Sequence, residues 1–116
     1  MVNAEQQDNA EPQDNVESDI TGTYVCEELP ASIIIREAEN GQYEIEGHAS
    51  WGFNTGDIAG ELEQINSQQF LYVENPDTES RAELKIVAYE DRLFVQTTQG
   101  MFGGLNVRFD GTYEKQ

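Results

Sequence analysis

The stretch QYEIEGHASW, residues 42–51, alternates strictly between two kinds of side chain. One face of an extended chain would carry the apolar and small residues Tyr43, Ile45, Gly47, Ala49 and Trp51. A period of two is typical of a β-strand that buries one face. Asn40-Gly41, just before it, is a residue pair that favours the positive φ angles of a tight hairpin. The stretch therefore predicts a β-hairpin with a defined inward face.

The same alternation extends from Ile20 to the end of the chain, and helical periodicity is absent. It predicts eight short strands, the last of which would point Leu105, Val107, Phe109, Gly111 and Tyr113 inward. Eight antiparallel strands joined by local turns favour a closed barrel, because a closed sheet has no exposed edge. We therefore predict an all-β fold, a single eight-stranded antiparallel up-and-down (meander) barrel over residues 20–116.

The triplet Gly-Thr-Tyr occurs near both ends of this domain, at residues 22–24 and 111–113. In a closed barrel the first and last strands are neighbours, so the two triplets would meet at the closing seam. Gly22 and Gly111 would face inward, where a missing side chain permits the strong coiling of a small barrel. We interpret the repeat as a structural feature that closes the barrel and not as an active-site signature.

Residues 1–19 form an acidic leader with six acids, no base and no aromatic residue. Such a segment buries too little apolar surface to offset its ordering entropy, so it is expected to be disordered. A polar leader before a compact domain is typical of an exported protein or bacterial lipoprotein that has lost its signal, so a lipid anchor before Met1 is left open. We expect a periplasmic, envelope-associated or secreted protein, although an intracellular protein with a frayed start has the same pattern.

The charge of the chain is strongly acidic, with 23 Asp and Glu against 6 Lys and Arg and a net charge of −17. Nucleic acids and anionic membrane surfaces require positive charge, so neither is an expected partner. No apolar stretch is long enough for a membrane span. If charge contributes to binding, the protein partner is cationic. Cys26, the single cysteine, has no internal disulfide partner and is expected to be a buried, inert thiol.

The residues that usually perform catalysis do not assemble into a site. His48 and Cys26 are single and lie far apart in the predicted fold, so a zinc site or a Cys/His nucleophile pair is not expected. In the predicted barrel, outward carboxylate pairs such as Glu61 and Glu63 would lie on a convex wall, where we expect no cleft. The segment NPDTE, residues 75–79, lacks the pattern of a dedicated calcium loop. We expect no enzyme activity, no cofactor and no metal.

The predicted loops are unequal, and those after the first, third, fifth and seventh strands are the longer ones: EELPA, GFNTGD, NPDTES and QGMFGG. In a meander these four loops share one rim, and binding residues are over-represented on loops held by a rigid scaffold. The candidate partner-binding residues on this rim are Leu29, Trp51, Phe53, Met101 and Phe102. Two interpretations remain open: the side chains form an exposed binding rim, or they fold inward and plug the barrel mouth.

Two segments resemble known families. ITGTY, followed by Leu29 and Ser32, resembles the start of avidin-type biotin binders, but those line biotin with several tryptophans and this chain has only Trp51. The segment from Ala82 to Lys115 is similar to the end of small exported bacterial β-barrel proteins, largely uncharacterised and loosely lysozyme-inhibitor-like. Their cysteine pair has no counterpart here, where Ala82 and Met101 stand near those positions. The resemblance implies a barrel fold and an envelope location.

The expected function is a non-enzymatic binding module that uses the loops at one barrel end to bind a protein partner, cationic and lysozyme-like if the resemblance extends to function. The alternative is a small-molecule-binding barrel, a lipocalin-like or avidin-like carrier, because eight strands can enclose one small ligand. Strands this short, lined by tyrosine and phenylalanine, would instead fill their own interior.

Overall fold

The computed structural model describes residues 19–116. The predicted disordered leader, residues 1–19, lies outside this range except for Asp19. Eight strands form a closed antiparallel barrel in sequence order, and β1 pairs with β8. The strands are β1 (Gly22–Cys26), β2 (Ala31–Glu37), β3 (Tyr43–Trp51), β4 (Asn54–Gln64), β5 (Gln69–Glu74), β6 (Ala82–Tyr89), β7 (Arg92–Gln99) and β8 (Gly111–Lys115). The predicted fold class is confirmed.

The barrel interior is the hydrophobic core, because alternate residues of every strand point into it. Its largest fully buried side chains are Tyr24, Ile33, Ile35, Ile45, Ile58, Phe70, Leu84, Ile86, Leu93, Phe109 and Tyr113. Cys26 is buried as predicted, and burial raises the pKa of its thiol, which favours the protonated form.

The two Gly-Thr-Tyr triplets have the same local structure at the closing seam. The Tyr24 hydroxyl donates to the carbonyl of Ile20 at 2.8 Å, and the Tyr113 hydroxyl donates to the carbonyl of Phe109 at 2.8 Å. The intervening glycines have φ angles of 147° at Gly22 and 151° at Gly111, which side chains strongly disfavour. The repeat is therefore a folding motif in which glycine lets each tyrosine bond back to the residue four positions earlier.

Strand β8 is shorter than predicted. It begins at Gly111, and residues 105–110 belong to the β7–β8 loop. The prediction that Leu105 points inward is wrong: Asn106 adopts a φ of 65°, which interrupts the extended chain and leaves Leu105 exposed. Val107 and Phe109 are buried as predicted.

Two connections differ from the sequence prediction. Asn40-Gly41 is not a two-residue turn, because Ala38 and Gln42 are joined by a backbone hydrogen bond and only Gly41, with a φ of 83°, has a positive angle. The prediction of a long loop after β3 is wrong as well. Trp51 pairs with Asn54, so Gly52 and Phe53 form a two-residue turn between long strands.

Candidate functional site

The β3–β4 hairpin extends beyond the packed part of the barrel and carries two aromatic side chains at its tip. Ala49 is the last buried residue of β3. Beyond it, Trp51 is 52% exposed and Phe53 is fully exposed. The prediction that Trp51 belongs to the inward face is therefore wrong, because the interior ends before that position. Gly52, with a φ of 61°, makes the tight turn that places the two rings.

The β7–β8 loop, residues 100–110, packs against the base of this hairpin. The Gly104 N–H donates to the carbonyl of Thr55 at 3.1 Å, and the side-chain amide of Asn54 donates to the carbonyl of Leu105 at 3.1 Å. A Cβ added at Gly56 would lie 2.5 Å from the carbonyl oxygen of Phe102. Glycine is therefore required for this backbone-to-backbone approach.

The same loop presents two further apolar side chains to solvent: Met101 is 75% exposed and Leu105 is 71% exposed. Since Leu105 is tied to Asn54, it lies beside the hairpin tip. We call Trp51, Phe53, Met101 and Leu105 the apolar rim. Leu105 was missed as a site residue because the period-two pattern placed it in a strand. The signal that could have found it is Gly103-Gly104 before it and Asn106 after it, since these residues favour turns.

Phe102 and Leu29 do not belong to this exposed surface. Phe102 is only 3% exposed, and its ring lies 5.9 Å from that of Tyr72 and 6.3 Å from that of Phe109. Its prediction as an exposed partner contact is corrected: Phe102 plugs the barrel mouth while its neighbour Met101 points outward. Leu29 is partly buried and packs against the core. The interpretation as a plug of the barrel mouth thus applies to Phe102, and the interpretation as an exposed rim applies to Trp51, Phe53 and Met101.

Acidic residues lie on the loops at the same barrel end as the apolar rim, and one of them has a structural role. The carboxylate of Glu28 accepts a hydrogen bond from the Thr112 N–H at 2.9 Å, and this bond holds the pKa of Glu28 below its usual value. Glu28 therefore fastens the β1–β2 loop to β8 at the seam. Glu27, Asp77 and Glu79 are exposed on loops at the same end.

His48 has a cross-strand partner that the sequence reading did not identify. Its Nδ1 lies 2.6 Å from Oδ1 of Asp57, and Ser32 stands opposite His48 on β2. This row of Ser, His and Asp lies on the outer wall, where the side chains of His48 and Asp57 are more than half exposed. No hydrogen bond joins the Ser32 hydroxyl to His48 in the described residues, so the row is a solvent-exposed His–Asp hydrogen bond beside a serine. Within residues 19–116, no group of three His, Cys, Asp or Glu side chains could hold a metal ion.

The barrel interior is occupied by aromatic side chains. Tyr43 meets Phe70 edge to face with ring centroids 5.8 Å apart, and Phe102 closes the mouth above Tyr72 and Phe109. Burial raises the pKa of Tyr24 and of Tyr72 to about 12, and the hydrogen bond from Tyr72 to Glu74 adds to the shift at Tyr72. Both shifts follow from the removal of the phenol groups from water, which disfavours the charged phenolate.

No protein-family model, no curated protein and no solved structure matches this chain. In residues 19–116 there is no helix of the length and apolar character needed to cross a membrane.

Proposed function

We propose that this protein is a non-enzymatic binding module of the bacterial cell envelope or secreted space, and that it binds a protein partner through the apolar rim. The observation that carries the proposal is the joint exposure of Trp51, Phe53, Met101 and Leu105 at one barrel end. Aromatic and methionine side chains are enriched at the centres of protein interfaces, and such centres contain the residues that dominate affinity.

The rim is held on ordered backbone, which lowers the cost of binding. Trp51 and Phe53 stand on a two-residue turn, and Leu105 is fixed by the hydrogen bond from Asn54 to its carbonyl. A surface that is already arranged loses little conformational entropy when a partner docks. This order supports a permanent recognition surface.

Charge favours a basic partner. The chain carries −17, and Glu27, Asp77 and Glu79 are exposed on the loops at the rim end. Complementary charge accelerates encounter and excludes acidic competitors. The similarity of the C-terminal segment to lysozyme-inhibitor-like exported proteins makes a lysozyme-type hydrolase the first partner to test. The acidic leader and the same similarity support an envelope or secreted location.

The packed interior supports rim binding over carriage of a small molecule. A lipocalin-like carrier needs space inside its strands. Here Phe70, Phe109 and Tyr113 are fully buried, and Phe102 covers them at the mouth.

The test is calorimetric titration of a c-type lysozyme, and of a panel of basic secreted proteins, into the full chain at low and raised salt. Trp51→Ala and Phe53→Ala should each raise Kd by about tenfold or more, since interface hot spots are worth about 2 kcal/mol or more. Ile65→Ala and Tyr89→Ala are matched controls, because both side chains are about half exposed at the opposite end of the barrel. The proposal fails if no basic protein binds, or if the control variants weaken binding as much as the rim variants.

A further inference from the structure

Strands β4 and β5 form a fork in the barrel wall. They pair only at Glu63 with Leu71 and at Gln64 with Phe70. Strand β4 nevertheless continues back to Asn54 and remains paired with β3 along that length. Over residues 55–61 one edge of β4 therefore has no neighbouring strand in the described part of the chain. An unpaired strand edge is a template for pairing with another polypeptide.

Two positions of this edge are already occupied. The carbonyl of Thr55 accepts from the Gly104 N–H, and the N–H of Ala59 donates to the Tyr72 hydroxyl at 3.2 Å. Alternate residues of an antiparallel strand direct both backbone groups to the same edge. Asp57 and Glu61 therefore also direct their N–H and C=O groups into the fork. No strand within residues 19–116 pairs with them there.

A side chain holds the two strands apart at this edge. The Tyr72 hydroxyl bonds both the N–H and the carbonyl of Ala59 at 3.2 Å, so its phenol ring stands where a paired ladder would place the neighbouring strand, about 4.8 Å away. A groove of about 690 Å³ lies at the closed end of the fork, with Glu61 and Glu63 between Leu71 and Val73 on one side and residues 41–43 on the other. No lysine or arginine of the described residues lines it.

The charge of the groove selects among the segments that could occupy it. Residues 1–18 of this chain carry five acids and no base, and a second copy of the chain carries −17. Glu61 and Glu63 repel both. A lysine or arginine fits, because its aliphatic stem can lie along Leu71 and Val73 while its charged end meets the carboxylates.

We propose that the β4–β5 fork binds an extended, lysine- or arginine-bearing segment of another protein by strand addition. The backbone of the segment displaces the Tyr72 hydroxyl from Ala59 and pairs with Asp57, Ala59 and Glu61, and its basic side chains occupy the groove. In this mode main-chain hydrogen bonds supply affinity and the side-chain pockets supply specificity. The site lies on the barrel wall and goes beyond the function proposed for the apolar rim.

The probe is a capped six-residue peptide of alternating valine and lysine, titrated into the full chain labelled with ¹⁵N. Hydrogen exchange of the Asp57 and Glu61 amides should slow on addition of peptide, and chemical-shift changes should concentrate at residues 57–63 and 71–73. Binding should weaken as salt rises. The same peptide with glutamate in place of lysine should not bind. Unchanged exchange at Asp57 and Glu61 in the saturated complex would overturn the proposal.

Variants separate this site from general charge attraction and from the rim. The double variant Glu61→Lys, Glu63→Lys should raise the peptide Kd by about tenfold or more. Asp77→Lys with Glu79→Lys makes the same change in net charge on the exposed β5–β6 loop, and should have less than about a third of that effect. Trp51→Ala with Phe53→Ala should leave the peptide Kd unchanged, even though it removes the binding proposed for the rim. Equal loss in both charge-reversal variants would mean unspecific attraction and would refute strand addition.

Discussion

Replacement of Phe102 by alanine should strongly destabilise the barrel, whereas replacement of its neighbour Met101 should not. Phe102 is 3% exposed and lies against the rings of Tyr72 and Phe109, while Met101 is 75% exposed. Loss of a buried phenylalanine removes about 1.5–3 kcal/mol of transfer free energy. Each lost aromatic pair adds about 0.5–1.5 kcal/mol. The sum agrees with the cost of about 3–5 kcal/mol typical of phenylalanine-to-alanine changes in cores.

The assay is urea and thermal unfolding followed by far-UV circular dichroism. In a domain of this size each kcal/mol lowers Tm by about 4–8 °C, so Phe102→Ala should lower it by at least about 12 °C. Met101→Ala should change the free energy of unfolding by less than about 0.5 kcal/mol. Phe102→Leu should recover a large part of the loss, because it refills the site with an apolar side chain.

A loss of less than about 1 kcal/mol in the free energy of unfolding for Phe102→Ala, or equal losses for the two alanine variants, would refute the reasoning. Removal of a side chain that fills the barrel mouth should cost more than that. Phe102 would then belong with the exposed residues, and the packing of the β7–β8 loop over the core would have to be abandoned. The comparison thus decides which side chains of this loop are core and which are free to contact a partner.

Three further predictions follow from particular contacts. Gly56→Ala should cost about 1–3 kcal/mol in urea unfolding and speed hydrogen exchange of the Gly104 amide, because its Cβ would meet the Phe102 carbonyl at 2.5 Å. The control is Gly41→Ala, which strains a turn with a φ of 83° at the opposite end of the barrel, where nothing lies within 4 Å, and should leave that exchange unchanged. Asp110→Asn should cost about 1.5–3 kcal/mol by the same assay, because the carboxylate accepts from both the Thr97 N–H and its hydroxyl, and Asp77→Asn is the exposed control. Ultraviolet titration should show Tyr24 and Tyr72 ionising near pH 12. A tyrosine in the unfolded chain ionises at about pH 10. The contribution of the two buried phenols to the free energy of unfolding is therefore complete below about pH 10 and is lost as the pH rises to about 12. Titration of both near pH 10 in the folded protein would contradict their burial.

The two proposed surfaces have different physical characters. The apolar rim offers exposed side chains on fixed backbone, whereas the β4–β5 fork offers backbone hydrogen-bonding groups beside two carboxylates. A folded basic protein suits the first surface, and an extended basic segment suits the second. Rim and charge-reversal variants affect them separately, so the failure of one proposal would leave the other standing.

The period-two pattern alone was sufficient for the fold class and for most of the core. Tyr24, Ile45, Phe70 and Tyr113 are buried where the alternation placed them, because a strand with one buried face admits only that assignment. The β1–β8 seam could also be predicted from the sequence, since Gly-Thr-Tyr occurs near both ends of the domain and closure of the barrel brings the two triplets together. These are local properties, repeated over short distances along the sequence.

Tertiary structure decided what happens where the alternation stops. Met101, Phe102 and Leu105 are all apolar, and nothing in their order states which one fills the barrel mouth; that depends on Gly103 reaching Gly56, far away in the chain. The early separation of β4 from β5 likewise follows from Tyr72 taking a place that a backbone partner would otherwise hold. The sequence by itself determined the barrel and its inward faces, because those follow from local periodicity. Which apolar side chains remain exposed, and where the wall opens, depends on contacts between distant segments that periodicity does not encode.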